Sequence, residues 1–365
     1  MNPRAIAAIA LLGAVVGAVF LLSEDTRPVR PAPGRPGPST GSTVGAVPGA
    51  AAEATEPFQT AAECRACHED VWAEWKPSFH GQAWTDPMVY ALSKGFRMPE
   101  CIDCHAPLPI HVTGAATRVA PRTHSRGDGV DCLSCHLMPD GGVAAVRDVP
   151  GAPCRPRKVD TLLDAVSCKG CHNQHYLADE WDTLFRKPDP DKGAILKEGR
   201  PETCADCHMA PAARRPGPDG AERKGFDHVF RGGHYDEILK RGLTLEASLE
   251  EGSVVARVAS VGVGHKAPGD SRHRSFNVWV TITTDAGVKV KDRAEAAEYR
   301  MYYRSPPRDN TNLRPGEIGL SRIQLPQGLK GKVLVELVYC MTPVKKERRE
   351  ARTVHSVELD FDTTK

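Results

Sequence analysis

The sequence predicts two folded regions of different class: a mostly irregular and α-helical domain over residues 58–241 and an all-β, sandwich-like domain over residues 242–365. Three observations predict this division. The pattern Cys-x-x-Cys-His occurs five times in the first region and is missing from the second. Beyond residue 242, apolar and polar residues alternate in runs typical of strands. A Pro-, Gly- and Ala-rich stretch separates both regions from an apolar N-terminus.

Residues 1–25 are predicted to form an export segment. Arg4 ends a short basic start, and residues 5–22 are eighteen uninterrupted apolar or glycine residues. No Ala-x-Ala cleavage site follows Leu22, and the length reaches the lower limit for spanning a bilayer. We therefore favour an uncleaved N-terminal membrane anchor over a cleaved signal peptide. Because Arg4 precedes the segment and Glu24 and Asp25 follow it, the rest of the chain is expected on the outer side.

Residues 26–57 are predicted to be a tether. They consist mainly of Pro, Gly, Ala, Ser and Thr, which cannot bury a hydrophobic core. At roughly 3.1 Å per residue, an extended tether of this length reaches about 90 Å. An anchored folded domain therefore need not lie on the membrane.

The five repeats use ten of the twelve cysteines, although chance placement gives about 0.015 copies of the pattern. It is the attachment signature of c-type haem: the two thiols add to the haem vinyl groups, and the imidazole takes one axial position on the iron. A zinc ribbon needs no histidine after each cysteine pair. The sequence predicts five covalent haems, attached through Cys64, Cys67 and His68, Cys101, Cys104 and His105, Cys132, Cys135 and His136, Cys168, Cys171 and His172, and Cys204, Cys207 and His208.

The spacing of these motifs predicts how the first domain is built. Successive motif histidines lie 31 to 37 residues apart, which is too few for a conventional core, so the haems must supply the apolar interior. A helix over residues 69–75, carrying Trp72 and Trp75 on one face, is expected to end before Pro77. The chain's net charge of +2 becomes about −3 with five oxidised haems, and no nucleic-acid partner is expected.

Nine histidines outside the motifs are enough to give every iron a second, distal imidazole. His175 and His111 are weaker candidates, because each lies close to a motif histidine in the sequence. Sequence context favours four residues of this domain as distal ligands. They are His80 behind the Trp-containing helix, His124 before the third motif, and His228 and His234 after the fifth.

Four segments of the first region are distinctive: Trp75 with Ser78-Phe79-His80, Cys104-His105-Ala106-Pro107, Gly129-Val130-Asp131-Cys132, and Cys207-His208-Met209. These segments resemble the cytochrome c-552/c-554 multihaem superfamily, which includes the nitrifier tetrahaem cytochrome, hydroxylamine oxidoreductase and pentahaem nitrite reductase. The resemblance implies that His80 is a distal ligand to another haem, usually the third, and that the haems form alternating parallel and perpendicular pairs. A histidine that follows the third motif of the tetrahaem relative has no counterpart between Leu137 and Val166.

The C-terminal region predicts a small antiparallel sandwich. Between its second and third strand-like runs, a loop over residues 262–269 carries His265 among glycines and a proline. The loop resembles one in the C-terminal β domains of some multihaem cytochromes, and this implies that His265 is a distal ligand, for the first haem. A disulfide between the remaining Cys154 and Cys340 is one alternative for those thiols. The predicted strands cover residues 243–249, 253–261, 276–284, 332–340 and 353–359.

Three functions agree with five haems. The first is electron transfer between a redox donor and a redox acceptor, without a catalytic residue. The second is reduction of a small nitrogen or sulfur oxyanion at one haem that lacks a distal ligand; against it, all five motifs end in His, whereas the similar nitrite reductase uses Lys at its catalytic haem. The third is quinol dehydrogenation, which the tether disfavours. The resemblance implies a periplasmic protein, held at the inner membrane if the leader is retained and soluble if it is cleaved.

Overall fold

The computed structural model describes residues 58–115, 117–172, 196–197, 200–201, 203–215, 220–269, 274–301, 310–341 and 351–364. All of these residues belong to the same compact unit. The predicted export segment, the predicted tether and the weaker candidate His175 lie outside the described residues. Among the helices that are described, none has the length and apolar composition needed to cross a membrane.

Short helices joined by loops form the first region, as the sequence predicts. The predicted helix over residues 69–75 is confirmed: the Trp72 and Trp75 rings lie 5.0 Å apart on it, and the Trp75 indole N–H donates to the Val130 carbonyl at 2.8 Å. The described helices are α1 (Ala62–Arg65), α2 (Glu69–Trp75), α3 (Pro87–Leu92), α4 (Pro99–His105), α5 (Ile110–Thr113), a 3-10 helix (Arg126–Asp128), α6 (Cys132–His136), α7 (Val166–Lys169), α8 (Cys204–His208) and α9 (Asp236–Gly242).

Small paired strands lie between these helices. The first pair is parallel, and the other two pairs are antiparallel. They fasten loops rather than build a core, because each sheet has two short strands. The pairs are β1 (Val143–Ala145) with β2 (Pro156–Lys158), β3 (Leu196–Lys197) with β4 (Arg200–Pro201), and β5 (Pro211–Arg214) with β6 (Arg223–Phe226).

The second region is the predicted β sandwich. One antiparallel sheet has the order β10-β9-β12-β13 and the other has the order β11-β8-β7. Residues such as Val278, Val280, Val335 and Leu337 are fully buried, and they fill one core between the sheets. The strands are β7 (Leu243–Glu250), β8 (Ser253–Ser260), β9 (Ser275–Thr284), β10 (Lys289–Arg300), β11 (Ile318–Gln324), β12 (Lys330–Cys340) and β13 (Ala351–Asp362).

The five strand-like runs of the sequence correspond to β7, β8, β9, β12 and β13, whereas β10 and β11 were not predicted. Both are edge strands of their sheets. Residues of β10 such as Lys289, Asp292 and Arg293 are exposed, and charged side chains of this kind are how sheet edges avoid pairing with other chains. Because charged residues also occupy positions where a strand pattern would place apolar ones, the sequence of this edge strand lacks a clear alternation of apolar and polar residues.

The junction between the two regions is rigidly packed. Helix α9 runs directly into β7, and Leu239 and Leu243 on the two sides of the junction are buried in the sandwich core. The backbone N–H groups of Val261 and Gly262 both donate to the Gly242 carbonyl at 3.1 Å. These contacts hold the start of the loop over residues 262–269 against the end of α9, close in the chain to the fifth motif.

Candidate haem-binding cavity

A cavity of about 2140 Å³ runs through the first region and reaches the β sandwich. All ten motif cysteines and all five motif histidines line it. Apolar side chains such as Trp75, Ile110, Phe226 and Phe276 supply much of the remaining wall. Paired thiols, an adjacent imidazole and an apolar wall are the groups that a covalently attached haem requires, so the residues present fit this cofactor.

Three of the motif imidazoles are oriented by hydrogen bonds to backbone carbonyls that lie outside the motif helices. The Nδ1–H of His105 donates to the Ala83 carbonyl at 2.8 Å, and that of His136 donates to the Ala144 carbonyl at 2.7 Å. The Nδ1–H of His208 donates to the Arg231 carbonyl. A carbonyl can only accept, so each bond fixes the tautomer in which Nε2 keeps its lone pair for a metal.

Three pairs of histidine rings face each other across the cavity. The ring centroids are 6.0 Å apart for His80 and His172, 6.3 Å for His136 and His228, and 6.4 Å for His208 and His265. If each Nε2 lies about 2.0 Å from a shared metal and about 1.2 Å from its own ring centroid, the two centroids are roughly 6.4 Å apart. The three separations therefore each fit one iron between two imidazoles.

The protonation of the facing histidines also suits metal binding. Burial lowers the pKa of His80 to about 3, and it lowers the pKa values of His228 and His265 to about 4. The pKa values of His136 and His208 are lowered as well, again chiefly by burial. All five imidazoles are therefore neutral at pH 7, which is the form that coordinates iron.

Two of the predicted distal ligands face different motifs from those that the resemblance implied. His80 faces His172 of the fourth motif and not a histidine of the third, because Val130 N–H fixes the His80 carbonyl at 2.9 Å while Phe230 packs edge-on against the His80 ring at 4.2 Å. His265 faces His208 of the fifth motif and not the first, because its loop is fastened to α9, whose Arg241 Nη2 contacts Cys207 Sγ of the fifth motif at 3.7 Å.

Two other predicted ligands are placed differently from these. His234 lines the cavity, but its ring stacks on Phe79 with centroids 3.5 Å apart instead of facing a motif histidine. His124 is exposed and does not line the cavity. The weaker candidate His111 also lies outside the cavity lining, and its buried Nε2 has no hydrogen-bond partner among the described residues.

Thiols from different motifs are hydrogen-bonding neighbours, and this orders the attachment sites. Cys64 of the first motif contacts Cys132 of the third, and the contact and burial raise the pKa of Cys132. The pKa values of Cys171 and Cys204 are raised in the same way, by Cys104 of the second motif and Cys168 of the fourth respectively. The first and third sites, the second and fourth, and the fourth and fifth are therefore adjacent.

The surroundings of the first motif differ from those of the others. Arg147 and Arg223 both line the cavity, and burial followed by the charge of Arg147 lowers the pKa of Arg223. Burial and the charge of Arg223 lower the pKa of His68. Within the described part of the chain, neither guanidinium forms an ion pair, and no other aromatic ring contacts His68. Cys154 is a free thiol that also lines the cavity, so the alternative Cys154–Cys340 disulfide is not formed.

Comparisons with known proteins agree with this architecture. Residues 63–137 match the family described as Cytochrome c554 and c-prime, and no curated protein matches the chain. The crystal structure of a penta-heme cytochrome c552 from Thermochromatium tepidum is similar, with a TM-score of 0.57 and 18% sequence identity over 83% of this chain and 99% of that chain. A superoxide reductase in the oxidized state, with a TM-score of 0.18 and 7% identity over 33% of this chain and 88% of its own, carries no argument.

The family match spans the first three motifs, and the similarity of fold extends over most of the chain, including residues beyond the motifs. Each likeness agrees with the cavity lined by motif cysteines and histidines. The fold and the family match over residues 63–137 support, together with the motifs, a multihaem c-type cytochrome that continues into a C-terminal β domain.

Proposed function

We propose that this chain carries five covalently attached haems and transfers electrons through them between a redox donor and a redox acceptor. The observation that carries the proposal is the set of three facing imidazole pairs, 6.0 to 6.4 Å apart, in a cavity lined by all ten motif cysteines. Haem iron, when bound, supplies reversible one-electron chemistry at a potential that its axial ligands and burial set. At each of these three sites, two neutral imidazoles would fill both axial positions of the iron and leave none open for a substrate.

The neighbouring thiols and rings support a continuous series of sites. The thiol contacts join the first site to the third, the second to the fourth and the fourth to the fifth. Phe230 joins the third and fourth sites, because its ring lies 4.2 Å from the His80 ring and 5.8 Å from the His228 ring. The chain therefore orders the sites as first, third, fourth and fifth, with the second beside the fourth.

The proposed location is the periplasm, where c-type haem is attached outside the cytoplasmic membrane. Residues 1–25 would hold the protein at the inner membrane if they are retained, and the protein would be soluble in the periplasm if they are cleaved. The proposed partners are proteins that donate and accept single electrons. The apolar composition of residues 5–22 supports export by either route.

Reduction of a small oxyanion at the first motif is the second candidate function. Its support is that Arg223, which acts on His68, and Arg147, which acts on Arg223, form no ion pair among the described residues, and that the His68 ring contacts no other aromatic ring there. An iron with one protein ligand would leave its other face open to nitrite or a similar anion, and two cations would attract it.

The spectrum of the purified, oxidised holoprotein distinguishes the two functions. Electron transfer alone predicts five haems per chain by intact mass and a purely low-spin ferric spectrum, and such a spectrum would exclude the reductase. A high-spin signal that shifts on addition of nitrite or cyanide would instead contradict the electron carrier. Arg223→Gln should then weaken nitrite binding, whereas Lys240→Gln, at an exposed position outside the cavity lining, should not.

A further inference from the structure

We infer that Glu74 and Arg214 are positioning residues for His228, and that they set the coordination and potential of the third motif's iron from outside its ligand shell. The inference rests on the proposed function, in which His228 is the distal ligand opposite His136. Nothing in the sequence pattern singles out either residue, since Glu74 lies on α2 behind the first motif and Arg214 ends β5.

The first step is a hydrogen-bonded clamp on the backbone of the ligand. One oxygen of Glu74, Oε2, accepts from Arg214 Nη2 at 2.5 Å and from the backbone N–H of His228 at 3.0 Å. The Arg214 and Glu74 side chains are only 13% and 26% exposed, so water weakens this ion pair less than it weakens a surface pair. The helix that follows the first motif therefore holds the loop that carries the third motif's distal ligand.

The second step concerns the imidazole itself. The Phe226 carbonyl accepts from Arg214 Nε at 3.1 Å, from Arg214 Nη2 at 2.8 Å and from the Nδ1–H of His228 at 3.2 Å. The bond from Nδ1–H leaves Nε2 with its lone pair directed away, toward the ring of His136 at 6.3 Å. Partners of this kind fix the tautomer and orientation of metal-binding histidines and tune their basicity.

The sign of the effect on potential follows from the shared carbonyl. A guanidinium that occupies the Phe226 carbonyl reduces the electron density it offers to His228 Nδ1–H, and this makes the imidazole a weaker donor. A weaker axial donor stabilises the ferric state less. Removing Arg214 should therefore lower the midpoint potential of one iron, in addition to loosening the position of the ring.

Two substitutions test the clamp, and each has a matched control in the holoprotein. Arg214→Gln and Glu74→Gln should each produce a high-spin ferric signal of up to one haem per chain, or shift the potential of one haem alone. Arg157→Gln removes the same charge from an ion pair with Asp140 outside the cavity lining, where the side chain is 48% exposed, and should change neither readout. Glu69→Gln, an exposed residue of the same helix that pairs with Arg65, is the control for Glu74.

Arg214→Lys should retain more low-spin signal than Arg214→Gln, because an ammonium keeps the charge and can still donate to the carbonyl. His228→Ala distinguishes the role of His228 as a ligand from the role of Glu74 and Arg214 in positioning it. If His228→Ala gives one high-spin haem while Arg214→Gln and Glu74→Gln leave every spectrum and potential unchanged, the clamp is refuted and the ligand assignment stands. If His228→Ala leaves all irons low-spin, both the assignment of His228 as a ligand and the clamp are refuted. Should Arg214→Gln not load its haems, Glu74→Gln alone decides.

Discussion

Replacing His265 with alanine is expected to open one iron of the five. His265 belongs to the β sandwich region, and its ring lies 6.4 Å from that of His208, the separation expected for two imidazoles that share an iron. A methyl group cannot donate to the metal, so the fifth motif's iron should lose its distal ligand and become high-spin. In the proposed function all five haems are low-spin and contribute equally to the ferric signal, so the substitution should remove about one fifth of that signal.

Electron paramagnetic resonance of the oxidised holoprotein measures this fraction, and carbon monoxide binding to the reduced protein checks it independently. Added imidazole should restore the low-spin signal by filling the gap that the substitution leaves. His355→Ala is the matched control, because His355 also lies in the sandwich but its Nε2–H donates to the Leu243 carbonyl at 2.7 Å. A His265→Ala protein with every iron low-spin would refute the assignment and the separation argument behind it.

Three further substitutions test how the chain supports these sites. Gly129→Ala should give a high-spin iron at the fourth motif, because Gly129 has a φ of +66° and an added Cβ would lie 2.5 Å from the carbonyl oxygen of His80; absorption spectra of the oxidised protein would show it. Asp131→Asn breaks a buried pair with Arg122 at 3.0 Å and should lower the free energy of unfolding by about 3–5 kcal/mol in guanidinium titrations. Leu337→Ala leaves a cavity in the fully buried sandwich core and should cost about 2–5 kcal/mol by the same measurement, with haem spectra unchanged.

The motif cysteines and histidines that line the cavity could be singled out from the sequence because the pattern is local. In α4, α6 and α8, two cysteines and a histidine lie within one or two turns of helix, so a five-residue pattern contains the whole geometry. The sandwich was predictable for a similar reason, since β12 alternates buried and more exposed residues from Lys330 to Leu337, as its sequence pattern indicates.

The motif that each non-motif histidine faces could not be predicted from the sequence, because the facing rings come from segments far apart in the chain. His124 precedes the third motif closely in sequence but is exposed, since the neighbouring Arg122 takes the buried position beside Asp131. His265 was predicted as a ligand from its loop, yet its partner depends on the packing of that loop against α9. Sequence context indicates which imidazoles are available, and only tertiary packing decides which motif each one faces.

Residues 226–234 form one loop that contacts histidines at three of the proposed haem sites. The Phe226 carbonyl accepts from His228, which faces the third motif, while the Phe230 ring packs on His80 opposite the fourth motif. The Arg231 carbonyl orients His208 of the fifth motif. With about 31 to 37 residues between motif histidines, each site cannot have separate supporting structure, so one loop must serve three. A displacement of this loop therefore changes three coordination sites together, whereas a change within one attachment motif acts first on its own iron.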